Sequence, residues 1–111
     1  MSKEGRRSRR LPYTGPVQVS WEERGETRFA RGRCIDVGES GLRIELPVGI
    51  AQATEIRLNA ERVRISGSAR VRHTERYGSK YLIGVELSQA LQAKALEALN
   101  DPRNLRAPGL V

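Results

Sequence analysis

Two short stretches of this chain carry residues whose types and spacing can do chemistry. Residues 6–10 read Arg-Arg-Ser-Arg-Arg, and residues 36–41 read Asp-Val-Gly-Glu-Ser-Gly. A guanidinium is a planar fork. It matches two phosphate oxygens, reads the O6 and N7 edge of a guanine, or lies flat on a purine ring. Lysine does not do the last two, and every cation of the cluster is Arg. The second stretch is a tight turn that opens on a carboxylate. Glycines at 38 and 41 permit positive φ and let a ligand approach the backbone closely. Asp36 can accept hydrogen bonds from the N1–H and N2–H₂ edge of a guanine. Between the two stretches lies one hairpin's worth of strand-like sequence. A basic arm and an acidic turn at this distance can close on a small anionic ligand that also has hydrogen-bond donors. Each stretch also has a plainer reading: the cluster as a solvated basic tail, and the turn as an ordinary Asx-type turn in which Asp36 bonds its own backbone.

No catalytic arrangement accompanies them. Asp36 with Glu39 or Glu45 comes nearest to an acid–base pair, but nothing supplies a reactive nucleophile or a second polarising group. Binding rather than catalysis is expected, with no cofactor. His73 is the only histidine and has no Cys or His partner at ligand spacing, so no metal is expected. Cys34 is the only cysteine; it can form no intramolecular disulfide and reads as a small buried hydrophobe. The 111 residues carry a net charge of +7 and make one domain. Lys3, Arg6, Arg7, Arg9 and Arg10 stand against Glu4 in the first ten residues, so more than half of the excess sits at one end. That concentration favours an anionic partner: nucleotide, nucleic acid or membrane headgroup. No apolar core follows the N-terminal charges, and no run approaches the roughly 18 apolar residues of a membrane span. A cytoplasmic protein that does not insert into a membrane is expected.

The elements that must position these residues are strands. Residues 1–10 read as a flexible arginine-rich arm, and Pro12 and Pro16 hold the next stretch extended. Val17, Val19 and Trp21 alternate with polar residues, a strand of period two. Arg24-Gly25-Glu26 is a hairpin turn. A long strand over residues 27–37 follows, with Phe29, Arg31, Arg33 and Ile35 on one set of alternate positions. Leu42, Ile44 and Leu46 mark a third strand, stopped by Pro47. Residues 55–59 read as a short fourth strand. Residues 62–76 alternate throughout, and Gly67 is placed to bend them through a bulge. Tyr77-Gly78-Ser79 turns the chain into a last strand over residues 80–87. From Ser88, a plausible N-cap, the period changes: Leu91, Ala95, Ala98 and Leu99 share one helical face, ended by Asp101-Pro102. The expected fold is all-β: a small six-stranded antiparallel β-barrel over residues 11–100, with a closing C-terminal α-helix at 88–100 and a tail at 101–111.

An RxxxR entry, an Asp-x-x-x-x-Gly turn about 25 residues later and a following Leu-Arg-Ile-Glu-Leu strand resemble the PilZ domain family. Leu82-Ile83-Gly84-Val85-Glu86-Leu87 is similar to that family's last strand, and residues 88–100 to its closing helix. The resemblance covers nearly the whole chain. It implies a six-stranded antiparallel barrel and a receptor for the bacterial second messenger cyclic di-GMP. Position by position, it makes Arg6 and Arg10 the arginines that grip the ligand, with Arg7 in support. It brings Asp36 to a guanine edge, gives Gly38 and Gly41 to the turn, and makes Gly41 the source of backbone clearance. It puts Tyr81 where some members offer a ring to a base. The strand pattern adds Arg43 to the same face as Gly41.

One departure stands out. The family's motif serine falls at position 38, where this chain has glycine. A neutral hydrogen bond is worth about 0.5–1.5 kcal/mol, so its loss weakens binding roughly 2- to 13-fold rather than abolishing it. The resemblance further implies that the ligand orders the arm and that the new surface is read by a downstream protein or through homodimer formation. Two other readings stay open. One is a degenerate PilZ adaptor that binds proteins but no nucleotide. The other is a small nucleic-acid-binding barrel, for which the few aromatics (Trp21, Tyr77, Tyr81) offer thin stacking surface.

Overall fold

Alternating apolar residues, read strand by strand, line the inside of a closed sheet. The computed structural model describes residues 10–38 and 40–101. It contains β1 (Arg10–Glu23), β2 (Glu26–Gly38), β3 (Gly41–Leu46), β4 (Glu55–Ala60), β5 (Ile65–Tyr77), β6 (Lys80–Leu87) and α1 (Gln89–Asn100). All strand pairs are antiparallel, and the barrel closes in the order β1-β2-β3-β6-β5-β4. The six-stranded barrel with its C-terminal helix is the architecture expected. Leu42, Ile44 and Leu46 from β3 meet Ile65 and Ile83 in an interior of aliphatic side chains, with Cys34 fully buried among them.

The hairpins follow turn chemistry. Arg24 and Gly25 both take positive φ, 54° and 82°, as a two-residue turn matching the twist of its strands demands. Gly78 takes φ 65° in the β5–β6 turn. Helix α1 starts at Ser88, whose hydroxyl oxygen accepts from the Leu91 backbone N–H at 3.4 Å. The face formed by Leu91, Ala95, Ala98 and Leu99 is buried, as the change of period predicts. Serine-to-alanine replacement at such a cap costs about 0.5–2 kcal/mol. The expected result of Ser88→Ala is a loss of about 1 kcal/mol in urea unfolding, because α1 loses its cap and not its packing.

Three expectations about individual strands are corrected. β1 is not confined to residues 17–21 but runs from Arg10 through both prolines. A proline has no N–H to give a ladder. Pro12 and Pro16 are tolerated because that part of β1 pairs with β2 alone; pairing with β4 is limited to residues 18–21. β5 begins at Ile65 rather than residue 62, after a single 3-10 turn at Glu61–Val63 that ends on Arg64 at φ 59°. Gly67 makes no bulge, since the β4–β5 register is unbroken across it. Its φ of +152° suits glycine, and a Cβ there would lie 3.2 Å from Leu91. Gly67 therefore makes room for the helix.

Candidate ligand-binding face

The outer face of the barrel is built around irregularities in strand register. On β2, Cys34 stands opposite Ile44 and Asp36 opposite Arg43, so Ile35 is an extra residue. The count on β1 also shifts, between Pro12 and Gly15. On β5, Val71 faces Val85 and His73 faces Gly84, so Arg72 is extra. A bulge turns the next side chain to the opposite side of the sheet. Ala30, Gly32 and Cys34 follow one another toward the interior, and unbroken alternation would send Asp36 there too. The bulge at Ile35 instead gives the interior Val37, which is fully buried, and swings Asp36 to the outside beside Arg43. On β5 the bulge gives Thr74 the inner position, where its hydroxyl donates to the Ile50 carbonyl, and puts His73 outside.

The result is one row of residues crossing the barrel. Pro12 pairs with Asp36, Asp36 with Arg43, Arg43 with Gly84, and Gly84 with His73. Every register shift in the barrel adjoins this row. Bulges gather where a side chain must be re-aimed, often beside functional sites.

At one end of the row, Arg43 donates from Nε at 2.8 Å and from Nη2 at 2.5 Å to the same oxygen, Oδ2 of Asp36. Asp36 is only 6% exposed. A carboxylate so buried needs a charged partner, and the cross-strand arginine supplies it. The hydrogen bond to Asp36, and then the charge of Asp36, hold the Arg43 guanidinium above its ordinary pKa against the opposing effect of burial. Arg43 is therefore a permanent cation. Its side chain remains about half exposed, at 48%, with the carboxylate beneath it.

The middle of the row is bare. A Cβ built on Gly84 has nothing within 4 Å. The neighbours of Gly84 in the row are Arg43 and His73, one strand away on either side. With strands about 4.8 Å apart, Arg43 and His73 flank an opening of roughly 9–10 Å between their backbones. A planar ring inserted between two flat groups needs about 7 Å. His73 keeps its side chain 64% exposed, and its Nε2 lies 3.7 Å from Oε1 of Glu75. Period-two reading gave no notice of His73 or Gly84, because their meeting with Arg43 depends on cross-strand register.

The other residues expected at the site are distributed as follows. Arg10 begins β1 with its Cα opposite Gly38, so the entry segment leads directly to the turn. Arg6 and Arg7 lie outside the described residues. Gly38 is buried. Gly41 is not at positive φ; a Cβ there would fall 2.2 Å from the Val85 carbonyl oxygen, so its small size is already needed by the β3–β6 ladder. Tyr81 does not join the row. It lies opposite Leu46 and belongs to the core-facing set of β6 with Ile83 and Val85. Its ring packs against Gly49, where a Cβ would be 3.1 Å away, and Arg76 lies over it at 5.9 Å.

A closed six-stranded barrel with a closing helix and an arginine-bearing entry opposite an Asp-x-x-x-x-Gly turn is one half of an identification; the other is the sequence as a whole. Residues 4–101 match the family model described as PilZ domain. The chain belongs to the PilZ domain family. Among solved structures, this PilZ domain is similar to the PilZ domain with c-di-GMP of YcgR from Escherichia coli. The TM-score is 0.58 and the identity 14%, over 86% of this chain and 88% of that one. Among curated proteins no match is found. Among the described residues of the PilZ domain, no helix is long and apolar enough to cross a membrane.

Proposed function

We propose that this PilZ domain is a receptor for cyclic di-GMP and that the ligand lies on the outer row from Asp36 to His73. The observation that carries the reading is the Asp36–Arg43 pair. The bulge at Ile35 turns Asp36 outward beside Arg43, and β1 brings Arg10, the last residue of the RxxxR segment, opposite Gly38 of the turn. Arg6 and Arg10 take the phosphates with bidentate hydrogen bonds, and Arg7 supports them. Asp36, held in place by Arg43, accepts from the N–H edge of one guanine. Arg43, still half exposed, faces the same ligand with its free surface. The bare backbone of Gly84 receives a base between Arg43 and His73. Drawing the entry segment onto the row changes the surface presented to a downstream protein or to a second copy. The solved PilZ domain of YcgR with c-di-GMP has the same fold, which is consistent with this assignment.

The direct test is calorimetric titration of the purified protein with cyclic di-GMP at about physiological salt, with cyclic di-AMP and GTP alongside. Saturable micromolar or tighter binding of cyclic di-GMP alone is expected; micromolar affinity corresponds to about −8 kcal/mol. No heat from a folded sample would make Gly38 the mark of a degenerate site. The bay is tested separately by Gly84→Val. Nothing stands within 4 Å of the added Cβ, and valine suits a strand better than glycine, so the melting temperature should hold or rise. Stacking one base contributes about 1–3 kcal/mol, so affinity should fall roughly 5- to 150-fold. Unchanged affinity in Gly84→Val would move the base elsewhere.

A further inference from the structure

β2 outruns β3. Register with β1 extends along β2 from Glu26 onward, whereas register with β3 starts only at Arg33, opposite Glu45. Among the described residues, 26–31 have no strand on their second side, whereas Gly32 already lies against the Glu45 backbone, where a Cβ would fall 1.8 Å from the carbonyl oxygen. That free edge is as long as a whole strand, which typically has about 5–6 residues. The outer row of this edge is Phe29, Arg31 and Arg33. Phe29 is the chain's only phenylalanine and is 77% exposed. Alongside lies an open groove of about 460 Å³, floored by Gly32 and Leu46 and walled by Arg31, Arg33, Glu45 and Lys80. Arg33 is paired with Glu45 at 3.0 Å. Arg31 and Lys80 make no ion pair among the described residues, so the groove is positively charged.

Cationic side chains on an edge are a common protection against unwanted strand pairing. Protection alone does not account for Phe29, because a bare aromatic ring invites association. An aromatic anchor, a row of cations at strand spacing and an unpaired ladder together describe a surface for β-strand addition. We propose that the β2 edge and its groove dock an extended acidic segment of a partner protein. The segment adds to residues 26–31 as a strand, seats an apolar side chain on Phe29 and directs carboxylates at Arg31 and Lys80. Charge selects this occupant over a second copy of the chain, since each copy carries +7 and brings the same cations to the contact. The proposal does not rest on nucleotide binding; this edge lies at the opposite end of β2 from Asp36.

The experiment is titration of the ¹⁵N-labelled full chain, without nucleotide, with a peptide long enough to span residues 26–31. The probe alternates glutamate with threonine and has one leucine in the glutamate row. One control has the same composition with contiguous glutamates, and another is N-methylated at alternate residues. Saturable shifts confined to residues 26–33, 45–47 and Lys80 are expected, with no binding of the N-methylated peptide. Phe29→Ser, Arg31→Glu and Lys80→Glu, each first shown to melt like wild type, should weaken the peptide roughly tenfold or more. Equal binding of the contiguous-glutamate peptide would reduce the effect to net charge and overturn the proposal. So would shifts centred on Arg43, or no shifts at all. Concentration-dependent shifts of the edge residues without peptide would assign the edge to self-association instead.

Discussion

Alanine at both Arg6 and Arg10 is expected to abolish measurable cyclic di-GMP binding while the barrel melts at its wild-type temperature. A hydrogen bond to a charged group contributes about 1.5–3 kcal/mol, so removing two such contacts costs about 3–6 kcal/mol, or roughly 10²- to 10⁴-fold in affinity. Starting from micromolar binding, that puts the variant beyond calorimetric detection. The fold should not suffer, because four arginines within five residues repel one another and the substitutions remove two of those charges. Lysine at the same positions separates geometry from charge. Lysine keeps the charge but not the planar fork, so it should restore only part of the affinity. Full recovery with lysine would mean simple electrostatic attraction. Undiminished binding by the alanine variant would remove the proposed function altogether.

The second large effect is expected at Gly41, and it falls on stability. As a ligand-clearing residue, Gly41 would tolerate alanine in the folded protein and lose only affinity. The structure gives it a different constraint. An alanine Cβ would stand 2.2 Å from the Val85 carbonyl oxygen and 3.2 Å from its carbon, both backbone atoms of the neighbouring strand. Neither can rotate away. β3 and β6 would have to part at their paired ends, beside the hydrogen bond from Leu87 N to Ser40 O at 2.9 Å. That bond leads directly into Ser88 and the helix. Overpacking of this kind costs about 1–3 kcal/mol, occasionally more. For a domain of this size the melting temperature should drop by roughly 4–20 °C. Thermal unfolding of Gly41→Ala beside Gly84→Val makes the contrast plain: two glycines on paired strands, one enclosed by backbone and the other open to solvent. If Gly41→Ala melts like wild type and loses only ligand, the ladder is not what requires its glycine.

The pair also indicates how much was legible in the sequence. Period-two alternation placed Leu42, Ile44 and Leu46 inside, and the change of period at Ser88 identified the buried face of α1. These are local signals, repeated over several residues and enforced by burial. The entry arginines and the Asp36 turn stand out in the sequence as a motif, and their role is the one proposed above. The register of one strand on another was not. Nothing local marks Ile35 or Arg72 as extra residues, since both sit in runs that read as ordinary strand. Without those bulges, Asp36 would be assigned to the core and His73 would have no relation to Arg43. Tyr81 shows the converse error. Three residues before Gly84 it looks close to the site along the chain, but an odd spacing puts it on the other side of the sheet.

The bulges have a consequence for how such a protein can change. Substitution alters what stands on the outer row, but only insertion or deletion alters which residues stand there. Removing Ile35 would close the bulge and leave Cys34 opposite Ile44 and Asp36 opposite Arg43, so Asp36 would stay outside and Val37 inside. β3 has no such slack, because its register with β6 is unbroken from Gly41 to Leu46. Loss of Ile44 would bring Glu45 into line with the interior and turn Leu46 outward, while every residue of the recognition motif remained in the sequence. A one-residue deletion that β2 absorbs is therefore one that β3 does not.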